Sequence, residues 1–163
     1  MSISRNYFVD SGLINITGST AVPALYIAPP SSADANICRI RVSIEAVSSP
    51  APPSNGSVFF SLNKVTGTKA GGSAVTPNPI GQSALAAAVV WSSGSTSLTG
   101  LTQSTEYWGQ PVPFASGASW EDSFENTGFE RNIPASGTYA FYFIAASGFG
   151  SGCAARITVD YSE

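Results

Sequence analysis

Two segments with a strict two-residue period constrain this chain most. In the first, Ile37 to Val47, one face holds Cys38, Ile40, Val42, Ile44 and Ala46, and the other holds Arg39, Arg41, Ser43 and Glu45. In the second, Cys153, Ala155, Ile157, Val159 and Tyr161 alternate with Ala154, Arg156, Thr158 and Asp160. Successive side chains of a strand point to opposite faces, so this period reads as a strand with one dry and one wet side. Both wet sides carry arginine.

Other runs join them. Leu13 to Thr17, Val22 to Ala28 and Ser57 to Lys64 have strand composition. Pro23 near the start of its run predicts an edge or an irregular strand. Thr138 to Ala146 is apolar on both faces. That predicts a central strand, or one whose outer face meets another subunit. Tyr139, Phe141, Tyr142 and Phe143 are therefore interface candidates. Loops are dense in Pro, Gly and Ser, as in Ser48 to Gly56. Ser147 to Gly152 reads as a hairpin connection between the last two strands. No segment holds a 3.6-residue period. The best helical candidate, Gly81 to Val89, has room for one or two turns.

Only 10% of the 163 residues are charged, where about 25% is usual. A helical bundle needs charged, helix-forming surfaces, and this chain lacks them. The expected fold is all-β: a two-sheet antiparallel sandwich of jelly-roll type, about eight strands with long Pro-, Gly- and Ser-rich loops. Residues 1–163 form one domain. In that topology the segments around Cys38 and Cys153 share a sheet. An immunoglobulin-like sandwich is the alternative, although its Cys-Trp-Cys spacing is absent.

The chain contains no histidine. That removes the commonest general base, the Ser-His and Cys-His pairs and all His-ligated metal sites. Seven Lys and Arg against ten Asp and Glu leave no basic stripe for nucleic acid. No apolar run approaches the ~20 residues that span a bilayer. The first residues show no apolar h-region or Ala-x-Ala site, so synthesis in a cytoplasm without a signal peptide is expected. Cys38 and Cys153 lack CxxC spacing and read as two buried thiols, with a disulfide between an early and the last strand as the alternative.

The remaining motifs are weak as chemistry. Ser61-Leu62-Asn63-Lys64 matches S-x-x-K, but in a strand the two side chains point to opposite faces. Gly148, Gly150 and Gly152 precede a strand where a phosphate loop needs a helix. Trp120 to Glu125, with Glu130 beyond, holds four of the ten acids. It reads as a solvated loop or a wet strand edge facing a basic partner, with calcium binding or a glycosidase pair such as Glu121 and Glu125 as alternatives. Trp91, Trp108 and Trp120 are candidates for an interface, or, with Tyr107, for sugar stacking if Trp91, Trp108 or Trp120 is exposed on one concave face. No catalytic residue, metal or cofactor is expected.

Between Asn63 and Thr96 a strand runs into Gly67-Thr68, Gly71-Gly72 and Thr76-Pro77-Asn78-Pro79, and a Trp91-Ser92 strand follows. This order resembles small tailed-bacteriophage virion proteins of jelly-roll type, the capsid decoration or minor capsid proteins. The resemblance covers about a quarter of the chain. It implies a non-enzymatic accessory protein on the outer surface of an icosahedral shell, trimeric, with the major capsid protein as partner. It also implies that Met1 to Ser11 is an N-terminal arm ordered by the shell. A receptor- or glycan-binding jelly-roll module of a fibre or tail is the alternative.

Overall fold

The computed structural model describes residues 6–16, 20–46, 57–81, 86, 88–94, 96–113, 118–124, 131–145 and 153–163. Those residues are all-β and antiparallel, with no helix among them. The two-residue period thus decides the architecture. They hold fifteen strand segments, where the sequence suggested about eight runs. Most segments that no sequence run named are two to five residues long, too short to display a clear period, but the twelve-residue Thr102–Pro113 was missed as well.

Sheet A is built around β4 (Ala35–Ala46) and β15 (Cys153–Ser162), the two amphipathic segments, which pair side by side. On the far side of β15 lie β1 (Asn6–Asp10) and β2 (Ile14–Ile16), two pieces of one bent strand. At the bend, Ser11 Oγ accepts the Ile157 N–H at 2.9 Å and fills the gap in the ladder. On the far side of β4 lie β12 (Ser119–Ser123) and β13 (Arg131–Ile133). Sheet B has the core order β11 (Thr102–Pro113), β5 (Ser57–Thr66), β14 (Tyr139–Ala145) and β3 (Val22–Ala28). It continues into β9 (Val89–Ser92) and β7 (Ser73–Val75).

The long-range pairings are nested. β1 pairs with β15, β3 with β14, β4 with β12 and β5 with β11. First meets last, second meets second-last, and so inward. Two further pairings, β4 with β15 and β5 with β14, join the nested ribbon into two sheets. Successive strands therefore cross repeatedly from one sheet to the other, and the space between the sheets is one hydrophobic cluster. Ile40, Val42, Ile44, Ile157, Val159 and Tyr161 enter it from sheet A, and Leu25, Ile27, Phe60, Leu62, Phe141 and Phe143 from sheet B. Burial of each such side chain contributes about 1.5–3 kcal/mol.

The segment that carries the virion-protein resemblance closes one flank. β6 (Ala70–Gly71) pairs with β10 (Leu98–Thr99), β7 edges sheet B, and β8 (Asn78–Pro79) pairs with β1 at the edge of sheet A. Only Thr76 and Pro77 separate β7 from β8, so the chain steps from one sheet edge to the other. The loops beside β6 interlock on glycine. Gly67 and Gly100 have φ of +93° and +75°. A Cβ on Gly67 would run into the Gly100 carbonyl oxygen, and one on Gly100 into that of Thr68. No other residue combines that backbone with that approach.

Several expectations give way here. Residues 6–11 do not form an arm: β1 lies between β15 and β8, with Tyr7 and Val9 fully buried. Leaving that apolar pair in water would cost more than ordering the strand. The last two strands are not a hairpin, because β14 belongs to sheet B and β15 to sheet A. The intervening residues 146–152, with their three glycines, lie outside the described residues. Cys38 leaves the apolar phase. The register slips between Asp160 and Tyr161, which pair with Arg39 and Ile37, so Cys38 is the extra residue of a bulge and only half-buried. Of the two forms expected for the Pro23 strand, the irregular one holds: Pro23 lies beside a register shift between Phe141 and Tyr142, inside the sheet and not at its edge. Of the helical candidate, the described part ends in the strand β9, and residues 82–85 and 87 lie outside the description.

Candidate functional site

The outer face of sheet A brings together the arginines of the two wet strand faces and the acids opposite them. Register places Glu121, Arg41, Thr158 and Asp10 in one cross-strand row, and Ser123, Arg39, Asp160 and Phe8 in the next. Arg39 donates from Nε to Asp160 Oδ2 at 2.7 Å, and Nη2 reaches the same oxygen. Its Nη1 lies 3.8 Å from Glu121. Arg41 lies 3.7 Å from Asp160 and 3.9 Å from Glu121, and Arg156 lies 3.5 Å from Asp10. The Asp160 side chain is only 7% exposed, so its charge depends on these guanidinium groups. The acidic stretch thus supplies a wet strand edge, and its basic partner is the chain's own β4. Glu121 faces outward and Asp122 is half-buried on the opposite face, while residues 125 and 130 lie outside the description. Among the described residues, no three His, Cys, Asp or Glu side chains gather as a metal site.

Beside this network a groove of about 320 Å³ opens between Phe8 on β1 and Trp120 on β12. Arg41, Ser43 and Thr158 line its floor, and Ser119 and Glu121 line its β12 side. The Arg41 guanidinium lies 6.0 Å from the centre of the Phe8 ring.

The outer face of sheet B is different. Tyr26, Phe59, Tyr142, Ile144 and Trp91 point outward, and none is charged. Phe59 pairs with Ile144 on one side and Pro111 on the other. Its ring lies over Gly109, where a Cβ would collide with it and with the Glu106 carboxylate, which brings one charge to this margin of the face. Tyr142, 4% exposed, forms a small second cluster with Val65 and Ala140, covered in part by Tyr26 and Leu101. Burial pushes the Tyr26 and Tyr142 hydroxyls above the usual tyrosine range. The Tyr142 hydroxyl is buried without a hydrogen-bond partner.

The sequence candidates divide between these places. Tyr139, Phe141 and Phe143 point into the shared core, so they are core residues and offer nothing to a second chain. Tyr142 alone of that strand's four faces outward. The Tyr139 ring also meets Tyr107 edge-on at 5.0 Å. Burial first, and Tyr107 second, push the Tyr139 hydroxyl to about 12. Trp108 is buried and Trp120 half-buried, their rings 5.4 Å apart where β11 and β12 flank the core. Trp91, on β9 at the far side of sheet B from β11, lies with the Lys69 ammonium 3.5 Å above its ring. The three tryptophans therefore form no common platform. Period alone cannot reveal this, because it assigns a face within a strand and not the position of that strand in a sheet.

The cysteines are both free. They lie at opposite ends of the paired strands β4 and β15, which separates them. Burial raises the Cys153 thiol to about 11, which keeps it protonated and unreactive at neutral pH. Ser61 is buried on the outward phase of β5 and accepts from Asn63 Nδ2 at 2.7 Å, whereas Lys64 is exposed, so the S-x-x-K pair does not meet. No helix among the described residues is long and apolar enough to cross a membrane. No family model, curated protein or solved structure matches this chain.

Proposed function

We propose that this chain is a non-enzymatic accessory protein of an icosahedral virion, a decoration or minor capsid protein that stabilises the shell through protein contacts. The nested pairing carries the reading. Taken in chain order, β1, β3, β4, β5, β11, β12, β14 and β15 pair first with last and inward, the scheme of a two-sheet jelly roll. Viral capsid domains commonly use that architecture. The resemblance of the Gly67–Pro79 segment to phage virion proteins points the same way. That segment here links the edges of both sheets, a rigidifying role that suits a protein under mechanical load.

The outer face of sheet B is the proposed meeting surface for the major capsid protein and for two further copies in a trimer. Aromatic and aliphatic side chains without charge make the core of most protein interfaces. The outer face of sheet A, with its charges paired internally, would then face solvent on the outside of the virion. A glycan-binding module resting on Trp91, Trp108 and Trp120 is the weaker reading, since those rings are dispersed.

The test is co-sedimentation of the purified protein with empty phage shells lacking it. Saturable binding at a fixed number of copies per capsomer, lost in Phe59→Asp but kept in Glu121→Gln, supports the reading. Absence of binding to such shells overturns it.

A further inference from the structure

We infer that the groove on the outer face of sheet A is a binding site for a neutral sugar ring. The inference stands apart from the virion reading, because it concerns the opposite face and different residues.

Three observations carry it. The first is unused hydrogen-bonding capacity. The hydroxyls of Ser43, Ser119 and Thr158 line the groove and make no hydrogen bond among the described residues. Arg41 approaches its carboxylates only at 3.7 and 3.9 Å, beyond hydrogen-bond distance, whereas Arg39 binds Asp160 closely. Arg41 is 40% exposed and keeps donors for a ligand.

The second is charge balance. The groove lining contains one guanidinium, Arg41, and one carboxylate, Glu121. The surrounding network adds Arg39 and Asp160, again one of each sign. An anion meets the carboxylates and a cation meets the guanidinium groups. A polyhydroxylated neutral ligand escapes both penalties, because a hydroxyl can accept from Arg41 or donate to Glu121.

The third is shape and apolar surface. Phe8 bounds the groove at one end and supplies ring carbon for the apolar side of a pyranose. At about 320 Å³ the groove lies at the small end of ligand sites, the size for one ring and not for an extended chain.

The experiment is ligand-observed saturation-transfer NMR on the full chain, with the methyl glycosides of glucose, galactose and mannose as probes. Glucuronic acid and glucosamine serve as the charged arms. At least one neutral glycoside is expected to bind saturably with Kd of about 1 mM, more tightly than either charged sugar. Arg41→Ala should weaken it at least ~10-fold, and Ser43→Ala or Thr158→Val ~2- to 10-fold while leaving the ion pairs intact. These last two variants keep the test valid if Arg41→Ala fails to fold. Glu121→Gln should weaken neutral-sugar binding. Tighter binding of glucuronic acid in that variant than of any neutral glycoside overturns the proposal. So does the absence of saturable binding by all neutral probes, or binding unchanged in Ser43→Ala and Thr158→Val.

Discussion

The two outer faces of this molecule are made by the same nested ribbon and yet differ in kind. On sheet A, Arg39, Arg41 and Arg156 meet Asp10, Glu121 and Asp160, and each charge finds an opposite one within 4 Å. On sheet B, Tyr26, Phe59, Tyr142, Ile144 and Trp91 present rings and methyl groups, with Lys69 laid over Trp91 at one margin. In a chain with so few charged residues, concentrating six of them on one face leaves the other nearly without. A face that satisfies its own charges is at ease in water. A face of half-buried aromatics gains free energy when something covers it. Under the proposed function, the difference would give the two faces opposite orientations in an assembly.

The largest expected effect on that comparison comes from charging the apolar face. Phe59→Asp should weaken association with the shell and with further copies by at least ~100-fold, since an unpaired carboxylate in an interface core costs several kcal/mol. The monomer fold should survive, because Phe59 points outward. Shell co-sedimentation and circular dichroism on the same sample separate the two effects.

Breaking the charged face should instead cost stability. Asp160→Ala removes the buried carboxylate that accepts from Arg39 Nε and should destabilise the chain by about 2 kcal/mol in urea unfolding. Glu121→Ala, on the exposed side of the same network, should cost under about 1 kcal/mol. Equal losses would mean that burial of Asp160 is not what gives the network its strength.

Alkali should attack the interior beneath both faces. Tyr139 and Cys153 hold their protons to about 12 and about 11 in the folded chain, above their ordinary values of 10.0 and 9.0. The folded state therefore binds more protons than the unfolded one above pH 9, and stability falls as pH rises from there through 12. Near-ultraviolet circular dichroism against pH should show tertiary structure lost in that window. Asp34 acts in the opposite direction. Hydrogen bonds from Asn132 and the Ala135 amide hold its carboxyl below the usual range, so its contribution fades only as pH falls below 4.

The smallest change sharpens the apolar face. The buried Tyr142 hydroxyl has no partner, so Tyr142→Phe should be neutral or stabilising by up to about 1 kcal/mol. A loss of more than that by thermal melting would mean that the hydroxyl is satisfied.

Much of this was legible in the residues. The period-two faces of β4 and β15 hold from Ile40 to Ile44 and from Ala155 to Val159, because an alternating pattern is a local property of an extended chain. The doubly apolar Tyr139–Ala145 run is central in its sheet for the same reason. What was not legible is non-local. The bulge that turns Cys38 outward arises from the partner register with β15, and no period records it. The separation of β14 and β15 into different sheets depends on pairing with strands far away in the chain, 75 or more residues from each. Tyr7 and Val9 did carry the signal that residues 6–10 are not an arm, since apolar side chains at alternate positions need a sheet to cover them. Of the groove, Arg41, Trp120 and Glu121 stood out. Ser43, Ser119 and Thr158 are ordinary hydroxyls until three strands align them.

The central claim is that the apolar face of sheet B is a subunit interface. Its most direct test is the absolute mass of the purified protein by light scattering on a sizing column, beside that of Phe59→Asp. The account predicts a wild-type mass near three times 16.8 kDa and a folded variant at 16.8 kDa. A wild-type chain that remains at 16.8 kDa at all concentrations, or a Phe59→Asp variant that keeps the wild-type mass, would contradict it.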